Sequence, residues 1–554
     1  MLSRLERNYA RTPAKEFGAE LGNASESKID PFERFFSARM RPLLDERDST
    51  QSDPIVLVEE KPYPLYHVAS GVLAAVLAVE SNARIVSFRF SGRQSFMSRL
   101  RRTAPLTPLG LDAYETMSDQ RIIITPRLRH ERRSRRLVRV FASSRPTRSD
   151  LEAFTVDGIH LGHLIIDRIV QKGHLRIDPV HPELLAMMEK MVARALVFRD
   201  ELSQRRVEAV ITGDIAYSPG LPLKTAIAGG VAAFIAHHRQ IRRLDNSRPA
   251  SSMDFMDYRE GFAALTVLER LRACNLAEEF LTARFYGGKG FSTSGAAVWS
   301  RDPRLTPRSA APVRTVLVSA HSFWDAQHAG GGFLFPDFFS WLEHLVGLAR
   351  RSGYRWRIKL HPDQRDVGIG VEPQVRALIG DVPNVELVPN DVSNATLMAE
   401  GVDLVATVYG TVAMEFPWLG VPAVTARWNS VHSPYSYALH PASVEELDRI
   451  LLDPTRWEYP IDREEILEYV FMHYLCRTNV LYDMLDEERF GADPQSLDSW
   501  PVAPDWDDAI SDRSFETTMD LIRAWVRSGT HGLNHWVGRS RRFAELRTAT
   551  DPET

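Results

Sequence analysis

The sequence predicts an α/β protein with two domains, each built around a parallel sheet. Its 554 residues are too many for one ordinary hydrophobic core, which predicts two domains of a few hundred residues plus terminal extensions. In both halves, short apolar runs alternate with longer segments of helical periodicity. Two of these runs, RWRIKL and DLVATV, end directly at turns that contain proline or glycine. Such an alternation is typical of doubly wound sheets, which bind ligands at the carboxyl ends of their strands.

Composition argues against several classes of protein. The net charge of -4 is close to balance, which argues against a dedicated nucleic-acid-binding protein. Cys274 and Cys476, the two cysteines, lack ligand-like spacing, so we expect no disulfide framework, no cysteine zinc site and a reducing cytoplasm. We find no apolar signal-peptide pattern near Met1 and no apolar run near the roughly 20 residues of a membrane-spanning helix. We therefore expect a cytoplasmic protein that is soluble or peripheral at the inner membrane.

The first domain is predicted to cover residues 51–310, after a variable N-terminal extension at residues 1–50. It opens with the strand IVLVEE, a helix through residues 67–82 and the strand ARIVSFRF, which form a Rossmann-like unit. Further strands are predicted at RIIITP, LVRVFASS, VEAVITGD and VAAFIA. The segment PELLAMMEKMVARALVFRDELSQRR predicts a long amphipathic helix.

Three polar residues of this domain are candidates for catalysis. Asp214 ends the VEAVITGD strand, and Asp157 and His160 lie in the segment FTVDGIH. A carboxylate or a histidine at such an edge can act as a general base. Each residue taken alone is also explained as the cap of a turn or helix.

Two other stretches of this domain have both a functional and an ordinary interpretation. The basic segment from Arg93 to Arg148 is most often a solvated face, but it would also attract an anionic acceptor glycan or lipid headgroups. The segment YGGKGFSTSG is glycine-rich like a phosphate loop, yet it lacks the strand-to-helix placement and the final Lys-Ser/Thr of one. A flexible linker is the favoured interpretation, with the domain boundary just beyond it at SAAPVR.

The second domain is predicted to cover residues 311–485, followed by a helical extension at residues 486–554. Strands are predicted at VRTVLVSAHS, RWRIKL, VELV, DLVATV and VPAVTA. Helices are predicted from Pro336, at about 371–380, near Ser393, at TVAMEFPWLG, at 444–452 and at DREEILEYVFMHYL. This order alternates as a doubly wound sheet requires.

Polar groups at these strand ends predict an anion site. RWRIKL stops at His361-Pro362, because proline cannot continue the ladder, and this leaves Lys359 and His361 at the carboxyl edge. DLVATV runs into the turn Tyr409-Gly410-Thr411 and then a helix, whose unpaired N–H groups suit a phosphate or diphosphate. The predicted phosphate- and ribose-binding residues are Ser319, His321, Lys359, His361, Pro362, Thr407, Gly410, Thr411 and Glu415. Either motif alone is also explained as a strand terminator or a tight turn.

The motifs KLHP and TVYGTVAMEFPWLGVPAV resemble the nucleotide-sugar domain of bacterial capsule and surface-polysaccharide glycosyltransferases of the GT-B type. These include the β-Kdo transferases and, more distantly, the polysialyltransferases, which carry a His-Pro motif and a later Ser/Thr-containing turn. The resemblance extends to SAHSFWDAQHAGGGFLFPDFFSWLEHL, and it covers roughly residues 150 to 480. CDP-glycerol glycerophosphotransferases are similar in the same places, but they usually carry paired serines where this chain has Tyr409-Gly410-Thr411.

The resemblance implies a GT-B-like fold, in which two Rossmann-like domains face each other across a cleft and a C-terminal helix crosses back to the first domain. It implies inverting transfer from a nucleotide-sugar donor, CMP-linked and Kdo-like, to a surface-polysaccharide or glycolipid acceptor. Neither a metal nor another cofactor is expected, since we find no Asp-x-Asp motif or histidine-rich cluster placed to bind a cation at the donor.

Three alternatives remain open at this stage. A CDP-glycerol or ribitol phosphotransferase would need the same phosphate-binding groups, and a non-catalytic polysaccharide export or scaffold protein could retain the same fold. The C-terminal extension could instead contact a membrane surface through Trp525, Trp536 and neighbouring arginines.

Overall fold

The structure is a computed structural model with two parallel sheets and a small hairpin. It describes residues 34–45, 47, 54–61, 64–91, 113–237, 240–245, 258–286, 314–361, 370–389, 392–459, 461–475, 512–530 and 533. The predicted glycine-rich linker YGGKGFSTSG, apart from its first residue, and Pro362 lie outside the described residues.

The first sheet has the strand order β3-β2-β1-β6-β7-β8, parallel except for β8. Its strands are β1 (Ile55–Glu59), β2 (Arg84–Phe90), β3 (Gln120–Ile124), β6 (Val207–Thr212), β7 (Ala232–His237) and β8 (Gln240–Leu244), and the hairpin strands are β4 (Thr155–Val156) and β5 (Ile159–His160). Four of the five residues of β1 are buried, as continuous apolar runs predict for a strand covered on both faces. The strands predicted at IVLVEE, ARIVSFRF, RIIITP, VEAVITGD and VAAFIA are thus confirmed.

Helices cover both faces of this sheet. They are α1 (Arg41–Asp45), α2 (Pro64–Ser81), α3 (Ala113–Met117), α4 (Leu128–Ser143), α5 (Arg148–Glu152), α6 (Gly162–Val170), α7 (Pro182–Gln204) and α8 (Leu221–Ala228), and a π-helical turn, Phe36–Met40, precedes α1. The next two helices along the chain, α9 (Tyr258–Ala263) and α10 (Val267–Tyr286), pack instead in the core that contains Leu317 and Val405 of the second parallel sheet. The long amphipathic helix predicted from Pro182 is confirmed as α7, with proline at its first turn and the His181 side chain as its cap.

The strand predicted at LVRVFASS is wrong, because this segment forms the second half of α4. Residues His130, Ser134 and Val138 are buried on this helix at intervals of four, which is the spacing of one helical face. The local apolar alternation of Leu137 to Phe141 resembled a strand, but the packing of α4 on α7 decides the conformation.

The second sheet is entirely parallel, with the order β11-β10-β9-β12-β13. Its strands are β9 (Thr315–Ser319), β10 (Arg355–Lys359), β11 (Val385–Leu387), β12 (Leu404–Thr407) and β13 (Ala423–Thr425). Its helices are α11 (Phe338–Ala349), α12 (Val371–Ile379), α13 (Asn394–Ala399), α14 (Val412–Trp418), α15 (Val444–Leu452) and α16 (Arg463–Val470), with a 3₁₀ turn at Pro454–Arg456 and a π-helical turn at Phe471–Leu475. The strands and helices predicted for this part of the chain are confirmed, with small shifts at their ends.

The two sheets face each other through contacts at their carboxyl edges, as in a GT-B-like fold. Buried apolar side chains of α6, α7, α11 and β9 belong to one continuous hydrophobic cluster. Polar contacts also cross this boundary between the two domains, called the seam below. Tyr217 Oη donates to the carbonyl of Trp324 at 3.0 Å, and Arg148 forms an ion pair with the buried Asp337. The seam therefore fixes the loop after β6 against the loop after β9.

The last described helix, α17 (Asp512–Ser528), returns to the first domain, as the resemblance implied. Phe515 packs edge-on against Phe35, and Trp525 packs against Phe234 of β7 with only 6% of its surface exposed. Trp525 therefore belongs to a protein core and is not available for a membrane surface, whereas Trp536 lies outside the described residues. In the part of the chain that the structure describes, no helix has both the length and the apolar character needed to cross a membrane.

Candidate functional site

The order of the second sheet locates its ligand-binding edge between β9 and β12. The chain passes from β9 outward to β10 and β11, and then returns to the other side of β9 as β12. Such a reversal opens a crevice at the carboxyl ends of the two central strands. Ser319 and Thr407 are paired at these ends, and the Thr407 hydroxyl donates to the Ser319 carbonyl at 3.1 Å. Both residues were predicted to be part of the site, and both lie at this crevice.

His321 and the turn after β12 form the centre of this crevice. The imidazole of His321 stacks on the ring of Tyr409 with centroids 4.1 Å apart, and its Nε2 accepts a long hydrogen bond, 3.4 Å, from the Tyr409 N–H. Burial and the nearby positive charges of His361 and Arg427 hold the pKa of His321 well below its ordinary value. His321 is therefore neutral. Because β9 and β10 are paired up to Ser319 and Lys359, His321 and His361 each follow the end of one of two adjacent strands by two residues.

Gly410 packs closely against the end of β12. A Cβ atom at this position would lie 3.1 Å from Thr407 Oγ1, a tight contact, and 3.7 Å from His321 Nε2, an ordinary one. A larger residue at this position would therefore require a small shift of the Thr407 side chain.

Lys359 lies at the predicted edge but points into protein rather than solvent. Lys359 is paired with Ser319 of β9 in the sheet. Its Nζ donates to Asn394 Oδ1 at 2.7 Å. Only 6% of its surface is exposed. A role for Lys359 in contacting phosphate remains a prediction.

The N-terminus of α14, the helix after Gly410, is a weaker anion-binding site than the sequence predicted. Thr411 precedes α14 and makes no side-chain capping bond, and α14 has seven residues with Pro417 inside it. So few aligned peptide units give a weak dipole at the N-terminus. Contact between Thr411 and a phosphate remains a prediction that rests on its hydroxyl and backbone.

Glu415, predicted to bind ribose hydroxyls, is fully buried in an ion pair. Its Oε1 accepts a hydrogen bond from Arg284 Nε of α10 at 2.6 Å, and its exposed surface is 0%. A carboxylate buried beside a guanidinium holds the two helices together. The ribose contact is still a prediction, and the observed partner favours a structural role.

The sequence interpretation missed Arg427, which follows β13 and reaches the same crevice. Its guanidinium lies 4.5 Å from the Tyr409 ring centroid, and Nη2 donates to the Gln327 carbonyl at 2.8 Å. Its Nε is buried without a hydrogen-bond partner among the described residues. A polar residue immediately after an apolar strand was the signal used for His361, and the same rule would have found Arg427.

A second missed group crosses the seam between the sheets. His328 Nδ1 lies 2.6 Å from Asp167 Oδ1 of α6, and its ring stacks on that of His163 with centroids 4.4 Å apart. Burial opposes charge on His328, but the Asp167 carboxylate outweighs it and raises the pKa of the imidazole. His163 is held neutral, because burial and the two neighbouring histidines lower its pKa to about 3. Asp167 directly follows the apolar residues Leu164 to Ile166 of α6, and an acidic residue at the end of such a run was the available sequence signal.

The three predicted catalytic residues fall in different surroundings. Asp157 lies at the tip of the β4–β5 hairpin, where Arg133 and Arg199 both pair with its carboxylate. His160 joins the histidine stack, with its ring centroid 4.6 Å from that of His163, and burial lowers its pKa. Only His160 is therefore brought close to the seam group around His328.

Asp214 lies where β6 ends, at the carboxyl edge of the first sheet. Burial raises the pKa of its carboxyl to about 6, although the Ala216 N–H donates to Oδ1 at 3.0 Å and stabilises the charged form. A carboxyl with a pKa in this range can exchange protons near neutral pH. Asp214 thus stays a candidate base.

One group of described side chains has the spacing of metal ligands, and it lies in the first domain. Ligand atoms of His174, His181 and Glu183 lie within 4.8 Å of one another. The Glu183 carboxylate already pairs with Lys172 and with His174, at 2.9 Å from Nε2 of the latter. These partners lower the pKa of Glu183 to about 2 and compete with a cation for its oxygens.

Comparison with known proteins gives structural neighbours but no family. No family model and no curated protein matches the chain. A Neisseria meningitidis UDP-GlcNAc 2-epimerase, solved with UDP-GlcNAc, is 10% identical, with a TM-score of 0.21 over 76% of this chain and 99% of that one. The β-Kdo 2,4 transferase KpsC of Thermosulfurimonas dismutans is 13% identical, with a TM-score of 0.26 over 48% of this chain and 79% of that one. Values this low do not assign an activity.

Proposed function

We propose that this chain is a GT-B-type glycosyltransferase that transfers a sugar from a nucleotide-activated donor to a surface-polysaccharide or glycolipid acceptor. The observation that carries the proposal is the stacking of His321 on the Tyr409-Gly410 turn at the reversal point of the second sheet, with His361 following the adjacent strand. This is the position at which open α/β sheets bind nucleotides. The KLHP and TVYGTVAMEFPWLGVPAV motifs carry the same residues.

The crevice offers positive charge where a leaving phosphate would need it. Arg427 is buried beside the turn, with its guanidinium 4.5 Å from the Tyr409 ring centroid, and the buried Lys359 ends the adjacent strand two residues before His361. Charge placed in advance in a region of low dielectric stabilises a departing phosphate at little reorganisation cost. Leaving-group departure would therefore proceed without a metal, in agreement with the GT-B resemblance.

The acceptor hydroxyl needs a base, and the seam supplies one that the sequence did not predict. His328 is oriented by Asp167 through its Nδ1, so that Nε2 is the proton-accepting atom of a carboxylate–histidine pair. The pair joins the two domains beside the donor crevice. We assign His328 the role of general base, with Asp214 as the second candidate.

The donor is proposed to be CMP-linked, because the His-Pro motif of the resembling transferases binds CMP-activated sugars. A CDP-glycerol or ribitol phosphotransferase, and a non-catalytic export or scaffold protein, are the alternatives. Incubation with CMP-Kdo, CDP-glycerol and UDP-sugars, with release of the nucleotide as the readout, separates the three. Release from CMP-Kdo alone supports the proposal, and release from none of them favours the non-catalytic alternative.

Replacement of His361 tests the location of the donor. We expect His361→Ala to lower donor affinity or turnover at least about tenfold, roughly 1.4 kcal/mol, because it removes a hydrogen-bonding group from the crevice. His344→Ala is the matched control, since this imidazole pairs with Asp448 away from the crevice. Equal activity of His361→Ala and the unmodified protein would argue against the assigned crevice.

A further inference from the structure

A cavity of about 530 Å³ opens at the carboxyl edge of the first sheet, away from the donor crevice. Its wall consists of the ends of β1 and β2, the segment after β6, and side chains of α6 and α7. The chain also reverses direction across this sheet between β1 and β6. The cavity therefore occupies the position at which the first domain would itself bind a ligand.

The charges that line this cavity do not balance. Five cationic side chains line it, namely Arg89, Arg168, Lys172, Lys190 and Arg194. Three carboxylates also line it, namely Glu59, Glu60 and Glu183. Lys61 Nζ lies 2.9 Å from Glu59, Arg121 Nε lies 2.8 Å from Glu60, and the third carboxylate pairs with Lys172. The carboxylates are thus already neutralised by cations of their own.

Three cations remain without such a partner. Arg168, Lys190 and Arg194 form no ion pair with any carboxylate in the described part of the chain. Arg194 Nη2 donates to the Ser91 carbonyl at 3.4 Å, and the guanidinium lies 5.3 Å from the centroid of the Phe90 ring. Arg168 donates to the side-chain oxygen of Gln171. Partial burial and repulsion from both arginines lower the pKa of Lys190. A bound anion would relieve this repulsion.

We propose that this cavity binds a phosphate monoester group. Lys190 and Arg194 lie one turn apart on the same face of α7, and Arg168 lies opposite them on α6. Three converging cations match the nearly doubly negative charge and the three acceptor oxygens of a monoester better than the single charge of a carboxylate. In terms of the proposed function, on which this part of the inference rests, the phosphate belongs to the acceptor saccharide. Free inorganic phosphate is the other source with the same chemistry.

The test is a calorimetric titration of the full chain, at low ionic strength, with inorganic phosphate, glucose 1-phosphate and uncharged glucose. We expect saturable binding of the phosphate probes and none of glucose. Lys190→Met and Arg168→Gln should each weaken binding at least about tenfold, roughly 1.4 kcal/mol. Arg139→Gln removes the same charge from the exposed side of α4 and should change nothing. Absence of saturable binding, or equal weakening by Arg139→Gln, would overturn the proposal.

Two further measurements separate this site from the donor crevice and identify the source of the phosphate. Phosphate should still bind to the His361→Ala variant and to the protein saturated with CMP. Loss of phosphate binding in either experiment would place the phosphate in the crevice and refute a separate site. If CMP fails to bind while phosphate binds as expected, the proposed donor is wrong and the cavity assignment stands. Glucose 1-phosphate bound about tenfold tighter than inorganic phosphate indicates a phosphorylated saccharide, whereas equal affinity indicates free phosphate.

Discussion

Replacing Arg284 by Met would show whether Glu415 stabilises the fold or contacts the nucleotide. Glu415 has no exposed surface, and Arg284, which is 6% exposed, lies 2.6 Å from its carboxylate. Removing one member of a buried pair leaves a charge without compensation, which typically costs about 3–5 kcal/mol of folding free energy. We therefore expect Arg284→Met to destabilise the second domain by about this amount, far more than the roughly 1 kcal/mol of an exposed ion pair.

The assay is denaturant unfolding of both single variants and the double variant, with nucleotide affinity measured on the folded proteins. Glu415→Leu should also be destabilising, because it removes the carboxylate that pairs with the buried guanidinium. The double variant Arg284→Met, Glu415→Leu should recover most of the loss, since an apolar pair can replace a buried ion pair at little cost. A structural Glu415 predicts unchanged nucleotide affinity in the double variant. A folded double variant with at least about tenfold weaker nucleotide binding would refute this reasoning and support the ribose contact.

Two further predictions concern the proposed bases. His328→Gln should lower the rate of sugar transfer at least about a hundredfold, which is within the range typical of a lost general base, and should leave donor affinity unchanged. A loss of donor affinity instead would assign His328 to donor binding. The folded-state pKa of Asp214 is raised from 3.8 to about 6, so the folded protein binds more protons than the unfolded chain between these values, and stability falls as pH rises through that window. Asp214→Asn should flatten this part of the stability profile measured by denaturant unfolding, and an unchanged profile would contradict the burial of the charged carboxyl.

The second sheet could be predicted from sequence because its signals are local. Runs such as TVLVS and LVAT are buried on both faces, and the residues that end them, Ser319 and Thr407, follow directly from the run lengths. Since carboxyl ends of parallel strands meet at one edge, local signals sufficed to bring His321, His361 and Gly410 together. The same reliance on local pattern gave the wrong prediction of a strand at LVRVFASS. Residues of α4 are buried at every fourth position because the helix packs on α7.

The seam could not be predicted, because its contacts join residues far apart in the chain. Asp167 and His328, which meet across it, are separated by 161 positions. The buried pair of Arg284 and Glu415 lies inside the second domain, and its members are likewise separated by 131 positions. Pairs of this kind become visible only once the packing of distant segments of the chain is known.

The two halves of the chain share a topology but differ in the chemistry at their reversal points. At the second sheet, the β9–β12 edge is lined by a neutral histidine, aromatic rings and buried cations, which suits a flat base and its phosphate. At the first sheet, the β1–β6 edge opens into a cavity whose unpaired cations lie on two helices. Between them, Asp167 of the first domain orients His328 of the second. The base proposed here draws on both domains and is assembled only when they are docked, so the contact that joins the domains would also place the acceptor hydroxyl against the donor.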